Sequence, residues 1–194
     1  MQPTVDLAPQ AAEVARIAAG VRDDQLPAPT PCAGTSVAAL LDHFMGLTVA
    51  FRWAAEKAPH TGGPSADAAD LAPDWRTRLP QQLDALVAAW REPAAWEGTT
   101  EVAGVRMPAP AIAVVALNEV LVHGWDLAVA TGQEYRVDPV AAQACLDLAV
   151  EFAASAPEMR DGMYGPVVPV PDGAPAFDRL LGQTGRDPGW TAAS

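Results

Sequence analysis

Residues 111–130 read AIAVVALNEVLVHGWDLAVA, and this stretch decides the fold. Its strongly polar side chains are Asn118, Glu119, His123 and Asp126. In a helix, Glu119, His123 and Asp126 follow i, i+4, i+7 spacing and share a face, which Ile112, Val115 and Ala116 continue. Val114, Leu117, Leu121 and Ala128 make the opposite side apolar too. A helix apolar nearly all round belongs in a protein core or a membrane. Roughly 20 residues would just span a bilayer. Three ionisable groups in lipid would each cost several kcal/mol, however, so a soluble core helix is the better reading. A buried carboxylate must be paired or must ligate a metal. A glutamate one turn before a histidine offers a carboxylate oxygen and an imidazole nitrogen to one point in space. The stretch therefore predicts a metal site that takes a third ligand from elsewhere.

Working outward, 194 residues with 50% hydrophobic content suffice for one domain with a full core. Twelve basic against 24 acidic residues give a net charge of −12. That argues against nucleic acid and anionic membrane as partners. The N-terminus MQPTVDLAPQ lacks a basic region followed by an apolar run, so the expected location is cytoplasmic. Cys32 and Cys145, the two cysteines, are then expected to be reduced.

Helical stripes predict a first helix over 4–21, a second over 36–58 with Thr35 or Ser36 as N-cap, a third over 73–91 and another over 139–155. Pro80 is expected to kink or restart the third helix. The proline-rich loop 22–34 carries Cys32, read as a small packing residue or as a thiol at a site mouth. His60 lies in the polar loop 59–72 and is expected to be exposed. Residues 94–107 predict a short hairpin or extended crossover around Ala103-Gly104. Pro108 and Pro110 suit the opening of the central helix. Residues 156–194 read as irregular apart from a short helix at 175–182, with Met159, Tyr164, Phe177 and Trp190 anchoring the tail. Arg160 is expected to be solvated. The domain plan is a helical bundle over 1–156 with a tail over 157–194 packed on it.

Several helices joined by short to medium loops favour an antiparallel bundle, and bundles build metal sites from side chains on facing helices. His43 falls on the edge of the Val37, Leu40, Leu41, Phe44, Leu47, Phe51 stripe. It reads as a boundary residue or as the third ligand that meets Glu119 and His123. Two histidines and one carboxylate suit zinc with an open fourth position, and equally suit iron(II), nickel or manganese. Asp126 could hold an imidazole N–H as a supporting partner or make local caps and salt bridges.

The run NEVLVHGWDLAVATGQ, with TPC at 30–32 and LLDHFMG at 40–46, resembles the DinB/YfiT-like superfamily. More closely, it resembles the actinobacterial metal-binding proteins related to the N-terminal domain of mycothiol-dependent maleylpyruvate isomerase. The resemblance covers nearly the whole chain, including the ending MRDGMYGPVVPV and APAFDRLLGQTGRDP. It implies an all-α, antiparallel four-helix bundle with a long connection. It implies that His43, Glu119 and His123 bind a divalent metal. One departure is Gly34-Thr35, where the family often has Gly-Trp. The isomerase's C-terminal domain has no obvious counterpart, so maleylpyruvate is not implied as substrate.

The function that follows is a metal-dependent transferase or isomerase using a low-molecular-weight thiol such as mycothiol on a small electrophile, with a homodimer allowed. Zinc is the first choice of metal. The alternatives are a metal-dependent hydrolase with Asp126 as acid–base group, a non-catalytic metal- or ligand-binding stress protein, and a metal-free buried Glu119–His123 pair. Whether the chain is an enzyme stays open at this level.

Overall fold

The computed structural model describes residues 5–58 and 65–192, without the side chain of Met159. The expectations for His60 and for Met159 as an anchor lie outside the described residues.

Helix α1 (Ala8–Gly20) begins later than its apolar stripe, with Pro9 in the first turn, where a missing N–H forfeits no hydrogen bond. Helix α2 (Val37–Glu56) starts where the Ser36 hydroxyl accepts from the Ala39 N–H at 3.2 Å, which satisfies one orphan donor of the first turn. It stops at Lys57, whose backbone is left-handed at φ +54°. The Lys57 ammonium reaches the carbonyls of Ala94 and Glu97 at 2.7 and 2.6 Å. Helix α3 (Trp75–Arg91) runs through Pro80 without a break. The expected restart does not occur, because Pro80 sits little more than a turn from the helix start and forfeits a single bond, its own to Arg76.

The stretch after α3 takes the hairpin form. Strands β1 (Thr99–Val102) and β2 (Val105–Pro108) pair antiparallel, with Val102 opposite Val105. The two turn residues, Ala103 and Gly104, both have positive φ, +49° and +80°, as a tight hairpin turn requires. The Thr100 hydroxyl donates to the Ala54 carbonyl at 2.6 Å and ties the hairpin to α2.

Helix α4 (Ala109–Ala130) is the central rod and packs on α1, α2 and α5 (Pro139–Ser155), while α3 packs on α1 and α2. Ile17, Leu41, Leu47, Leu83, Leu117 and Leu121 are fully buried between these helices. By length and composition α4 could cross a membrane, yet 83% of its most apolar window is buried inside the protein. It is a core helix, as its sequence reads. Gly132, at φ +69°, turns the chain out of α4 in the left-handed conformation that glycine adopts freely.

The tail is more ordered than its sequence suggests. The short helix expected at 175–182 is α7 (Ala176–Gln183), but α6 (Pro157–Met163) replaces the irregular start. Leu180 and Leu181 join the core, Tyr164 is buried, and Phe177 meets the rings of Trp125 and Tyr135 at 6.5 and 6.2 Å. Trp190 packs against the core from a partly buried position. Arg160 is buried rather than solvated. Its guanidinium donates to the carbonyls of Gly165 (2.6 Å) and Gln183 (3.0 Å) and pairs with Asp161 (2.7 Å). Those oxygens replace its water shell and make burial tolerable.

Candidate metal centre

His43 comes from α2, and Glu119 and His123 from α4. One ligand atom from each lies within 4.8 Å of the others. His43 Nε2 and His123 Nε2 each stand 3.3 Å from Glu119 Oε2, and the two rings meet edge-on with centroids 4.9 Å apart. Packing of α2 on α4 supplies this convergence. The edge position of His43 on its stripe is what lets it face α4 from the rim of the core.

Each imidazole is oriented from behind. His43 Nδ1 lies 3.1 Å from the Ser65 carbonyl, and His123 Nδ1 lies 3.0 Å from Asp126 Oδ2. A carbonyl can only accept, so the His43 Nδ1 carries a proton, and the carboxylate favours the same at His123. Both Nε2 atoms are thereby directed at one point, the arrangement that metal-binding histidines use. Ser65 is itself held. Its hydroxyl donates to Asp42 Oδ2 at 2.9 Å, and the Asp67 N–H donates to the same oxygen at 3.2 Å.

Asp126 meets the His123 imidazole, and its ion pair is made not locally but with a residue 60 positions away. That residue is Arg186, whose Nη2 donates to Asp126 Oδ2 at 3.0 Å in a buried ion pair. The Arg186 Nη1 donates to the Thr184 carbonyl at 2.7 Å. Asp126 is 0% exposed and Arg186 is 7% exposed, so the tail places a fixed positive charge behind the histidine.

In the absence of a cation the cluster holds a proton instead. Burial alone would pull the His123 imidazole down, but its hydrogen bonds to Asp126 and Glu119 outweigh that and raise its pKa to about 10. Burial would push the Glu119 carboxyl up, and the hydrogen bonds from His123 and His43 instead hold it well below the usual carboxylate range.

The cluster lies in the wall of a cavity of about 670 Å³. Its apolar side comes from Phe51, Val102, Met107 and Val115, so the hairpin, α2 and α4 all contribute. Its polar side comes from Asn118, Tyr164, Arg186 and Cys32. Asn118 donates to the Tyr164 hydroxyl at 3.0 Å. Burial pushes the Tyr164 phenol up, so the tyrosine stays protonated. Cys32 is only half-buried and lies at this cavity, which favours the site-mouth reading over the packing one. Cys145 is buried in the core, as expected.

Sequence reasoning missed Arg186, Asp42, Ser65, Asn118 and Tyr164. Asp42 carried a signal, being an acidic residue inside an apolar helical run next to His43. Arg186 carried none, because it stands 60 positions from its partner in a polar tail.

With this geometry in hand, the comparisons are specific. A family described as the mycothiol maleylpyruvate isomerase N-terminal domain matches residues 7–128. The chain belongs to that family. This places it in the DinB-like superfamily, and its mostly helical structure agrees. An uncharacterized protein of Mycobacterium tuberculosis strain H37Rv is 31% identical to this family member over 182 residues, which is 89% of this chain and 91% of the relative. A protein of strain CDC 1551 matches with the same figures. Among solved structures, the mycothiol-dependent maleylpyruvate isomerase superposes with a TM-score of 0.51 at 16% identity, covering 82% of this chain and 70% of that one. A histidine-to-alanine mutant of the isomerase superposes with a TM-score of 0.55 at 19% identity, with the same coverage. At these identities the likeness speaks for the fold alone.

Proposed function

We propose that this protein is a metal-dependent thiol transferase or isomerase. In this reading His43, Glu119 and His123 hold a divalent cation, zinc first, and the adjoining cavity admits a low-molecular-weight thiol of the mycothiol type with a small electrophile. The observation that carries it is the convergence of two Nε2 atoms and one carboxylate on a cavity wall, each imidazole fixed from behind. Three protein donors of this kind leave zinc an open position.

Charge supports the same conclusion. Glu119 and Asp126 are anionic and Arg186 is cationic, a net of one negative charge with both histidines neutral. A divalent cation turns this to one positive charge, which a single bound thiolate cancels. A buried site left with net charge is costly, so the count favours a monoanionic guest. A bound cation would stabilise the thiolate form of that sulfur at neutral pH.

The chain's own groups do the rest. Asp126, clamped by Arg186, keeps the His123 Nδ1 proton in place and so fixes which nitrogen faces the site. Ser65 does the same for His43. The apolar wall formed by Phe51, Val102, Met107 and Val115 excludes water from the reacting sulfur. The Tyr164 hydroxyl is a donor for an oxygen of the electrophile.

The hydrolase alternative loses support. Asp126, its acid–base group, is fully buried and engaged by His123 and Arg186. Membership of the family described as the mycothiol maleylpyruvate isomerase N-terminal domain agrees with the thiol reading. Zinc-loaded protein mixed with mycothiol and a model electrophile should turn over, and the His43→Ala variant should not. Equal rates for the two proteins would reject the proposal, and turnover without thiol would favour a hydrolase.

A further inference from the structure

The cavity contains a thiol that the proposed chemistry does not use. Cys32 Sγ lies within 4.8 Å of donor atoms of His123 and Asp126, and it faces the same space as the three candidate ligands. Its loop is braced. The Thr30 hydroxyl donates to the Thr35 carbonyl at 2.9 Å, the Thr35 N–H donates to the Cys32 carbonyl at 3.0 Å, and Pro29 bridges to Ser36. The Thr35 hydroxyl donates to Sγ at 3.6 Å, and Arg186 lines the same cavity. Partial exposure and a hydroxyl donor on the sulfur are features of a thiol open to reaction. Cys145 has the opposite setting, with 0% exposure and a thiol that burial pushes up.

A second observation points to a ligand in this space. Asn118 lines the cavity, is 2% exposed, and its side-chain oxygen meets no hydrogen-bonding partner among the described residues. A buried polar atom left unmet is uncommon and calls for an occupant or an explanation.

We propose that Cys32 is a thiol–disulfide exchange site for the disulfide of a low-molecular-weight thiol. The inference rests on the reading that this cavity admits such a thiol. The Cys32 sulfur attacks one sulfur of the small disulfide. A Cys32–S–S–R bond forms and the R–S–S–R bond breaks. The Cys32 proton leaves with the departing thiolate as R–SH. The small disulfide is the oxidant, and no other reactant is needed. The adduct fills the cavity beside His43, Glu119 and His123 and closes it to the reduced thiol until a reductant releases it. The same pocket would then work when its thiol pool is reduced and shut when that pool is oxidised.

The test exposes the full chain to glutathione disulfide and follows it by intact mass and peptide mapping. The expected result is one adduct per chain, mapped to Cys32, formed at least about tenfold faster than any adduct on Cys145 and reversed by a dithiol. No adduct on Cys32, under conditions that modify a free cysteine peptide, overturns the proposal, as does equal modification of Cys145. Zinc titration of the unmodified chain and of Cys32→Ser separates the two claims. Zinc uptake by both with no Cys32 adduct sinks the exchange site and leaves the metal centre standing. A Cys32 adduct with no zinc uptake by either does the reverse.

Discussion

Replacing Arg186 by methionine removes the guanidinium that faces Asp126 and keeps much of the side chain's apolar length. Asp126 then sits fully buried with His123 Nδ1 as its remaining partner. Breaking a buried ion pair from one side costs about 3–5 kcal/mol, because the surviving charge is left uncompensated. The Thr184 carbonyl also loses its donor at 2.7 Å. In a chain of this size each kcal/mol moves the melting temperature by about 2–4 °C, so Arg186→Met should melt roughly 6–20 °C lower by calorimetry. The same change frees Asp126 to turn away from His123, and loss of such a supporting partner weakens metal binding by about 10–100-fold. Adding Asp126→Asn to Arg186→Met removes the stranded charge. The double variant should regain stability relative to Arg186→Met while still binding zinc weakly. A single variant that melts within about 2 °C of the parent, or a double variant less stable than the single one, would refute this account of the tail.

Four further outcomes are expected. His123, raised to about 10 without a cation, must lose its proton when its Nε2 takes a metal. Zinc affinity should therefore rise about tenfold per pH unit from pH 7 to 9, with about one proton released per ion in calorimetry across buffers of different ionisation enthalpy; no proton release contradicts it. By the same shift, the His123 contribution to stability of the metal-free protein is fully present below about pH 6.5. It is lost as pH rises through about 10. Asp42→Ala releases Ser65 and with it the His43 Nδ1 contact, and should weaken zinc binding about tenfold with little change in the far-ultraviolet dichroism. Gly124→Ala places a methyl group against the Tyr135 hydroxyl and Val14, and should cost about 1–3 kcal/mol by denaturant titration.

Much of this architecture could be read locally. The helical stripes of α2, α4 and α5 are short-range periodicities, and the Glu119–His123 pair announces itself because charges do not belong on a helix apolar all round. His43 was legible as a residue at the edge of a stripe that had to face something. Partners distant in sequence were not legible. Arg186 and Asp126 meet because the tail folds back over the bundle, and no spacing rule links them. Arg160 looked like an ordinary surface arginine because its acceptors are backbone carbonyls, which every residue carries. Pro80 looked disruptive because its cost depends on how far it stands from the helix start, and sequence fixes such boundaries only to within a few residues. Cys32 looked like packing because its exposure follows from a cavity assembled by α2, α4, the hairpin and the tail.

The central claim is that three side chains on two helices share one cation. The most direct measurement is zinc titration of the metal-stripped chain beside Glu119→Ala. One ion per parent chain, with binding lost or weakened by at least about a hundredfold in the variant, is the predicted result. Equal stoichiometry and affinity in the two proteins, or no binding to the parent, would contradict it.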